Sequence, residues 1–395
     1  MSWPMVKIGS CIEKVKSWNP LKSDDTDSFL YIDLSSVDKD KKELDQNSVV
    51  SILPSEAPSR ARQLVKANDV LVSTVRPNLN GVALLSNKYC GATASTGYCV
   101  LRANAQKLDS SFLFYWVQTQ SFISDMVKKA TGANYPAVSD KVIMDSEIPL
   151  PPLAEQKRIV AILDKAASIR RKRQRAIKLS DDFLRAVFLE MFGDPVTNPK
   201  GFPIGTIRDL VESANYGSSA KATEEIADYP MLRMGNITYQ GALDMTDLKY
   251  INLIDNDKPK YLVSKGDLLF NRTNSKELVG KTAIYDLDEP AAIAGYLIRV
   301  RANNKGNNYY ISAYLNSKHG KTTLQCMCKS IVGMANINAQ ELQNIVILLP
   351  PVELQNKFSE LVLATKKKVS VLENALKEQV RLFGSLSQKA FSGQL

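Results

Sequence analysis

The stretch PLPPLAEQKRIV, residues 149–160, decides how this chain folds. It joins an apolar segment that closes on two prolines to a stretch, Leu153–Phe192, without proline or glycine. Proline fits the first turn of a helix and breaks its interior, so this pattern predicts a long helix beginning after Pro152. The arrangement occurs again at residues 350–355, which read PPVELQ before a second proline-free stretch.

The second stretch, Val352–Phe391, shows the helical period most clearly. Its core positions at 3-4 spacing are Phe358, Val362, Thr365, Val369, Leu372, Leu376, Gln379, Phe383, Leu386 and Ala390. The first stretch places Ile159, Ile162, Ala166, Ile169, Ala176, Phe183 and Val187 on one stripe. We expect two amphipathic helices of about 60 Å each, ended by Gly193 and Gly393, that pair through these stripes in parallel or antiparallel orientation.

The chain also repeats itself. Segments match in the same order at offsets of 198 or 199 residues: Asp69–Val72 with Asp267–Phe270, Gly97-Tyr98 with Gly295-Tyr296, and Arg102–Asn104 with Arg301–Asn303. Each half combines short strand patterns with one predicted helix, near residues 111–129 and 309–329. The repeat predicts an α+β chain with mixed domains at residues 1–152 and 194–351 and spacer helices at 153–193 and 352–395.

Composition limits the class of protein. A chain of 395 residues with 44% hydrophobic and 23% charged residues can form several packed domains. Five cysteines and one histidine, His319, give neither a disulfide framework nor a metal site. Because there is no apolar run of about 18 residues and no N-terminal signal-peptide pattern, we expect a soluble, cytoplasmic protein without membrane contact.

The net charge of +10 favours a polyanionic partner. The two helical stretches carry eight of these ten charges. The basic clusters contain Lys165, Arg170, Arg171, Lys172, Arg173, Arg175 and Lys178, and then Lys366, Lys367 and Lys368. A solvated helix face, contact with DNA phosphates and contact with a partner subunit are all open interpretations.

Polar loops follow the predicted strands in both halves. Arginine and asparagine can read guanine and adenine edges with two hydrogen bonds, so these loops are candidate DNA contacts. The candidates are Arg60, Arg62, Arg76, Asn78 and Asn80 in the first half, and Tyr216, Ser218, Lys221, Arg233, Asn236, Arg272 and Asn274 in the second.

Catalytic signatures are missing from the sequence. The tripeptides 280–282 and 320–322 both read Gly-Lys-Thr, but each lacks the glycine that a phosphate-binding loop requires five residues earlier. The strings Asn134-Tyr135-Pro136 and Asp194-Pro195-Val196 lack the second proline of the amino-methyltransferase element. No group of carboxylates has metal-ligand spacing. We therefore predict that the chain is not an enzyme and binds no cofactor or metal.

The sequence resembles the specificity subunit of type I restriction-modification enzymes along essentially its whole length. The resemblance rests on the two Pro-Pro-to-Gln junctions, residues 149–160 and 350–355, of which the second has Leu354-Gln355 in place of Glu-Gln. Further motifs are APSRA at 57–61, RPNLNG at 76–81, FLEMFGDP at 188–195, YGSSAK at 216–221, PMLRMGNI at 230–237 and KAFSGQL at 389–395.

This resemblance implies a non-catalytic subunit in which each mixed segment binds one half of a split double-stranded DNA target. Antiparallel paired helices would act as a spacer and dock two methyltransferase subunits, with restriction subunits completing an ATP-dependent nuclease. S-adenosylmethionine, ATP and Mg²⁺ would then bind to those partners. Candidate docking residues are Gln156, Arg158, Arg170, Arg171, Arg173, Gln355, Lys366 and Lys367.

On this interpretation Arg60, Arg76 and Asn78 read one half-site, and Lys221, Arg233 and Arg272 lie near the other. Two other classes of function stay open at this point. The chain could be a stand-alone DNA-modifying enzyme with an unrecognised site, or a coiled-coil scaffold that does not bind DNA.

Overall fold

The computed structural model describes residues 3–23, 26–331 and 334–395. The chain divides into two compact units. The first unit contains residues 1–174 and 374–395, and the second contains residues 175–373. Each unit therefore combines one mixed α/β segment with parts of two long helices. In the described part of the chain, no helix is both long and apolar enough to span a membrane.

The first half contains four α-helices and twelve strands in its described residues. The helices are α1 Ser110–Trp116, α2 Gln120–Lys129, α3 Asp140–Asp145 and α4 Leu153–Phe192. The strands are β1 Met5–Lys7, β2 Ile12–Glu13, β3 Phe29–Ile32, β4 Val37–Asp38, β5 Glu43–Leu44, β6 Val50–Ile52, β7 Ala61–Leu64, β8 Val70–Ser73, β9 Val82–Leu84, β10 Thr93–Ser95, β11 Tyr98–Ala103 and β12 Glu147–Pro149.

The second half follows the same plan. Its helices are α5 Lys258–Tyr261, α6 Asn308–Asn316, α7 Lys318–Met327, α8 Ala339–Gln343 and α9 Val352–Ser392. Its strands are β13 Ile204–Thr206, β14 Val211–Tyr216, β15 Tyr229–Leu232, β16 Lys249–Ile251, β17 Leu262–Val263, β18 Leu268–Asn271, β19 Thr273–Asn274, β20 Thr282–Ile284, β21 Ala291–Ile293, β22 Leu297–Ala302, β23 Lys329–Ile331, β24 Met334–Asn336 and β25 Val346–Leu348. Short 3-10 turns at 8–11, 20–22, 34–36, 54–56, 77–79, 87–89, 207–210 and 234–236 connect the strands.

Sheet topology repeats from one half to the other. The first half has four-stranded sheets of order β6-β3-β10-β7 and β2-β11-β8-β9, and the second has β16-β15-β21-β17 and β14-β22-β18-β20. The pairs β3–β10 and β15–β21 are parallel, and their neighbours are antiparallel. Antiparallel ladders β1–β12 and β13–β25 close each mixed segment next to its long helix. The tandem repeat predicted from the sequence is therefore confirmed, together with the α+β class.

The single helix expected in each mixed segment is instead two helices. In the first half the chain breaks between α1 and α2, where the Thr119 hydroxyl accepts a hydrogen bond from the Phe122 amide. In the second half the Ser317 hydroxyl accepts one from the Gly320 amide at 3.0 Å and caps α7. Both residues are helix-capping types, so each stops one helix and starts the next.

The long helices α4 and α9 begin and end where proline and glycine predicted. The carbonyls of Pro152 and Pro351 accept the first helical hydrogen bonds, from the amides of Gln156 and Gln355 at 3.0 and 3.2 Å. Gly193 follows α4 with a φ of +77°, a left-handed conformation that costs glycine little and suits a helix C-terminus.

In the first unit, the beginning of α4 packs antiparallel against the end of α9. Arg158 Nη2 donates to the Leu395 carbonyl at 3.2 Å, and Gln379 Nε2 donates to the Ala166 carbonyl at 2.8 Å. Arg173 Nη1 donates to Gln379 Oε1 at 2.7 Å. Gln379 thus forms a polar layer in an otherwise apolar stripe, and a polar residue at such a position fixes the register of a helix pair.

In the second unit, the end of α4 packs antiparallel against the beginning of α9 through aromatic rings. The Phe188 and Phe192 rings lie 5.6 and 5.5 Å from the Phe358 ring, and the Phe192 ring lies 4.6 Å from that of Tyr310. In the first unit Phe391, which follows Phe192 by 199 residues, packs in the same way against α1. Each unit is therefore completed by a helix end that the other copy of the repeat supplies.

The apolar stripe expected on α9 is confirmed, because all ten of its positions are buried or half-buried. The stripe expected on α4 is wrong at two positions. Ile169 is 39% exposed and Phe183 is 51% exposed, while Leu163 and Ala167 are buried. The inner face of α4 advances by four residues from Ile159 to Leu163 and Ala167, whereas the expected stripe alternates steps of three and four residues over this part of the helix.

Candidate nucleic-acid interface

Four loops of the first unit meet beyond the carboxyl end of the parallel strands β3 and β10. The Arg60 carbonyl accepts from the Thr96 amide at 2.8 Å, and the Gly97 carbonyl accepts from the Thr74 amide at 2.9 Å. The Thr74 carbonyl in turn accepts from the Val138 amide at 2.9 Å. We call residues 58–60, 74–80, 96–97 and 131–138 the first loop cluster.

Arg76 lies at the centre of this cluster, directly after β8. Its backbone has a φ of +51°, and its amide donates to the Pro136 carbonyl at 2.7 Å. The guanidinium carbon lies 4.8 Å from the centroid of the Tyr135 ring, and this ring is 69% exposed. Arg76 is therefore fixed at its backbone and stacked at its side chain, but open to solvent.

The other candidates of the first half divide into two groups. Arg60 and Asn78 are exposed, and neither side chain forms a hydrogen bond or ion pair with a described residue. Arg62 donates to Asn19 Oδ1. Asn80 is buried with a φ of +47°, and its Nδ2 donates to the Val117 carbonyl at 2.8 Å. Arg62 and Asn80 thus support the loops from inside, whereas Arg60 and Asn78 face solvent.

The second unit has an equivalent arrangement at the carboxyl end of β15 and β21. The Leu232 carbonyl accepts from the Ala294 amide at 2.9 Å, and the Ser218 carbonyl accepts from the Gly295 amide at 2.7 Å. The Arg272 amide donates to the Tyr296 carbonyl at 3.0 Å. We call residues 216–221, 233–236, 272–275, 294–296 and 336–339 the second loop cluster.

Gly217 explains how two of these loops approach so closely. A Cβ atom at this position would lie 2.3 Å from the Ile293 carbonyl oxygen and 2.4 Å from that of Ala294. The neighbouring Ser218 is buried, and its hydroxyl accepts from the Ala220 amide at 3.1 Å. Glycine is thus required for packing here, and Ser218 shapes the turn that leads to the exposed Lys221.

Arg272 and Tyr216 form the second arginine–tyrosine pair of the molecule. The Arg272 guanidinium carbon lies 4.7 Å from the centroid of the Tyr216 ring, which is 42% exposed. The Tyr216 hydroxyl accepts a hydrogen bond from the Ala339 amide at 2.9 Å. Arg272 is half-buried, and its nearest acceptors, the Gly295 carbonyl and Asn336 Oδ1, both lie at 3.5 Å.

The remaining candidates of the second half, except for Lys221, form hydrogen bonds or ion pairs within the chain. Arg233 Nη2 forms an ion pair with Asp247 at 2.9 Å. Asn236 is buried, and its Nδ2 donates to the carbonyls of Asp244 and Asp247 at 2.8 and 2.9 Å. Asn274 Oδ1 accepts from the Ser275 amide at 2.9 Å. Lys221 is exposed and makes no hydrogen bond or ion pair within the described ranges.

The lysines of the two Gly-Lys-Thr tripeptides point into the second unit. Lys281 Nζ donates to the Met234 carbonyl at 2.7 Å, and burial lowers its pKa. Lys321 Nζ lies 4.6 Å from the centroid of the Tyr239 ring. Burial and the positive charge of Lys281 lower the pKa of Lys321 to about 8. Both amines therefore contact other residues of the second unit.

The two junction glutamines occupy identical buried positions. Gln156 Oε1 accepts from the Asp109 amide at 2.8 Å, and its Nε2 donates to the carbonyls of Lys107 and Pro151 at 3.0 and 2.8 Å. Gln355 repeats all three bonds, with the Asn307 amide and the carbonyls of Lys305 and Pro350 at 2.9, 3.0 and 2.8 Å. Both side chains are fully buried and join a long helix to its mixed segment.

The candidate docking charges on the helices differ in how free they are. Arg158 binds Glu155 through two nitrogens, and Lys366 forms an ion pair with Asp286 at 2.6 Å. Arg170 lies over the Phe383 ring at 5.6 Å, and Arg173 is bound to Gln379 as described above. Arg171 and Lys367 are exposed and, among the residues that the structure describes, have no ion-pair or hydrogen-bond partner.

Tyr135 is the functional candidate that sequence reasoning missed. In the sequence it stands out only within the string Asn134-Tyr135-Pro136, which lacks the second proline of a methyltransferase element. Its contact with Arg76 joins residues 59 positions apart, and no local spacing indicates such a contact. A single aromatic residue in a polar loop between a glycine and a proline was the only available signal.

The chain matches a family model described as the type I restriction modification DNA specificity domain, over residues 3–179 and again over residues 199–382. It is 31% identical over 206 residues to the putative type I restriction enzyme MjaX specificity subunit of Methanocaldococcus jannaschii, an alignment that covers 49% of this chain and 48% of that protein. This chain thus spans about half the length of that relative.

Two further proteins are similar over most of the chain. The type I restriction enzyme EcoKI specificity subunit of Escherichia coli is 22% identical over 353 residues, which cover 84% of this chain and 76% of that protein. A chain solved in a study of complex assembly and conformational transition of the type I R-M system superposes with a TM-score of 0.63 and 25% identity. That superposition covers 100% of this chain and 98% of the other.

Proposed function

This chain belongs to the type I restriction-modification DNA specificity family, and from this premise we propose that each loop cluster reads one half of a split double-stranded DNA target. The chain is a specificity subunit and has no catalytic role. We divide it into recognition domains at residues 1–152 and 194–351 and spacer helices at 153–193 and 352–395. Because DNA is the ligand, we place the protein in the cytoplasm.

One observation carries this proposal. The two loop clusters share their backbone frame, since in both the loop after the central strand, β8 or β18, is bonded to the loop after the parallel strands. The polar side chains on that frame differ, with the exposed Arg60, Arg76 and Asn78 on one and the exposed Lys221 and half-buried Arg272 on the other. A shared frame with different polar groups suits two readers of different sequences.

Arg76 and Arg272 are the side chains that we assign to base contacts. Arg62, Asn80, Ser218, Arg233, Asn236 and Asn274 support the loops, since their polar groups are occupied within the chain or buried. Asn78 and Lys221 are free to contact bases or phosphates. A good contact between arginine and guanine is worth about 1–3 kcal/mol, so a few contacts in each domain suffice.

The spacer helices are the proposed docking surface for two modification subunits, to which restriction subunits are added. Leu179 and Phe183 are 52% and 51% exposed one turn apart on α4, and we assign this apolar pair to the contact with a modification subunit. Arg171 and Lys367 add exposed positive charges that have no partner among the described residues. S-adenosylmethionine, ATP and Mg²⁺ would bind to the partner subunits.

The decisive experiment maps methylated adenines in the host genome with and without this gene. We expect a split motif that disappears on deletion. Arg76→Ala should relax one half of the motif and Arg272→Ala the other, while Lys22→Ala, an exposed lysine outside both clusters, should change neither. An unchanged methylation map on deletion would refute the proposal, and methyl transfer by the purified chain alone would indicate a stand-alone enzyme.

A second experiment tests the spacer role. Inserting one heptad between Ala166 and Lys178, with a matched insertion in α9, lengthens the helix pair by about 10 Å, or roughly three base pairs. We expect the unspecified gap of the motif to lengthen accordingly. An unchanged gap in an active complex would show that the helices do not set the spacing.

A further inference from the structure

Each loop cluster contains one arginine stacked on one exposed tyrosine, but the two tyrosines come from different parts of the repeat. Tyr216 ends β14, the first strand of its sheet, whereas Tyr135 lies in the loop before α3. The guanidinium-to-ring distances are nevertheless 4.7 and 4.8 Å. The two halves thus reach the same pairing with side chains that the repeat does not relate.

The loop that carries Tyr135 is attached to the loop that carries Arg76. Thr131 and Ala137 exchange two backbone hydrogen bonds of 2.9 Å, which close the loop. The Pro136 carbonyl accepts from the Arg76 amide at 2.7 Å, and the Val138 amide donates to the Thr74 carbonyl at 2.9 Å. Backbone bonds on both sides of the pair therefore hold together the two loops that carry the ring and the guanidinium.

The backbone of Arg76 is held in a strained conformation in this arrangement. Arg76 adopts a φ of +51° immediately before a proline, in a region that residues other than glycine, asparagine and aspartate seldom adopt. Backbone strain of this kind persists where surrounding bonds impose it and is concentrated at ligand-binding sites. The Tyr135 ring is 69% exposed, so burial of the ring does not account for its position.

We propose that Tyr135 is a specificity-determining residue of the first recognition domain, and that its ring orients the Arg76 guanidinium toward the DNA so that the pair reads one guanine. Stacking on an aromatic face leaves the edge of the guanidinium free for two hydrogen bonds to guanine O6 and N7. The inference rests on the proposed function, and Tyr135 acts in it as a positioning residue.

The test uses the tagged full chain, together with the proteins that copurify with it from the host, and a library of randomised duplexes. Wild type should enrich a split motif with a guanine in the first half-site. Arg76→Ala and Tyr135→Ala should each reduce the preference for that guanine on the order of tenfold. Tyr135→Phe keeps the ring and should retain the preference.

The double variant separates positioning from independent contact. If Tyr135 acts through Arg76, the variant with both alanines loses no more preference than Arg76→Ala alone. The second half-site, read by the other unit of the same molecule, is the internal control and should stay unchanged in every variant. That control also shows that the variant proteins are folded and assembled.

Three results would overturn the inference. They are an unchanged guanine preference in Tyr135→Ala, losses that multiply in the double variant, and a first half-site without guanine. Enrichment of no split sequence by wild type would instead refute the proposed function itself. Tyr216→Phe gives a matched comparison, since it keeps the ring over Arg272 and removes only the bond to the Ala339 amide.

Discussion

The two units share the parts that hold the fold and differ in the loops for which we propose contact with DNA. Both have a buried junction glutamine with the same three hydrogen bonds, and both have an aspartate–arginine pair between equivalent strands, Asp69 with Arg102 and Asp267 with Arg301. The arginine–tyrosine pairs, by contrast, come from positions that the repeat does not relate. Repetition of the frame thus leaves each unit free to carry different polar side chains on its loops.

A second difference lies inside the mixed segments. The second unit buries Lys281 and Lys321 beside one another, whereas the equivalent positions of the first unit are Val82 and Phe122, both buried. Buried charge costs stability and buried apolar side chains add to it. The two units should therefore respond differently to pH, although they share one topology.

The largest loss of folding stability is expected when a junction glutamine is substituted. Gln156→Leu would leave the Asp109 amide and two carbonyls without partners inside the protein, which should lower the free energy of unfolding by about 3 kcal/mol or more. Gln355→Leu should cost the same. Gln174→Leu, an exposed glutamine of α4, is the control.

Tryptophan fluorescence can assign each loss to a unit. Trp3, Trp18 and Trp116 all belong to the first unit, so denaturant unfolding followed by fluorescence reports on it, while circular dichroism reports on both. We expect Gln156→Leu to shift the fluorescence transition more than Gln355→Leu does. Equal shifts would show that the two units unfold as one.

The next largest loss of folding stability is expected when one of the two aspartate–arginine pairs is broken. In the first unit Asp69 is 1% and Arg102 12% exposed, and in the second Asp267 is 8% and Arg301 38% exposed. Removing one partner of a buried pair leaves an uncompensated charge, so Asp69→Ala should cost about 3 kcal/mol. Asp267→Ala should cost less, because water reaches Arg301. The exposed Asp40→Ala is the control, and a larger loss at Asp267 would contradict the argument.

The buried lysine pair predicts a pH dependence of the second unit. Burial and Lys281 hold the pKa of Lys321 at about 8, below its usual 10.5. The unfolded chain then binds the proton of Lys321 more tightly than the folded chain does. The resulting loss of folding stability is therefore complete below pH 8 and disappears as the pH rises toward 10.5. Stability measured across this window should rise in wild type relative to Lys321→Met. An exposed lysine variant, Lys318→Met, should behave like wild type.

The smallest effect is expected at the helix surface of the second unit. Lys366 forms an ion pair with Asp286 at 2.6 Å, but the two side chains are 40% and 28% exposed. Exposed pairs contribute about 0–1 kcal/mol, so Lys366→Met should change the free energy of unfolding by less than ~1 kcal/mol. Lys367→Met should change it by less still. A loss as large as that at Gln156 would contradict this ranking.

The fold could be predicted from the sequence because its signals are local or periodic. The Pro-Pro junctions, Gly193 and Gly393 mark both helices, and the stripe of α9 is correct at every expected position. The stripe of α4 was less predictable, because Arg170 and Arg173 lie on its inner face in place of apolar residues. The break between the two helices of each mixed segment depends on one capping residue, Thr119 or Ser317, and so the sequence pattern indicates a single helix there.

The candidate site could be predicted only as a set of loops. From the sequence, Arg62, Arg76 and Arg233 are all candidate DNA contacts, yet their side chains have different partners in the structure. Arg62 is bound to Asn19, 43 residues away, and Arg233 to Asp247, 14 residues away. Such partners leave no trace in the spacing around an arginine.

The sequence alone determined that this chain is a duplication of one mixed domain and one long helix, because proline, glycine and heptad spacing act on the chain nearest to them. Only the tertiary structure decided which polar side chains remain free to meet DNA and which hold the loops, because that depends on partners that folding brings together. Arg76, Tyr135 and Pro136 illustrate this, since two backbone hydrogen bonds and one stacked ring join two loops that are distant in sequence into a single surface.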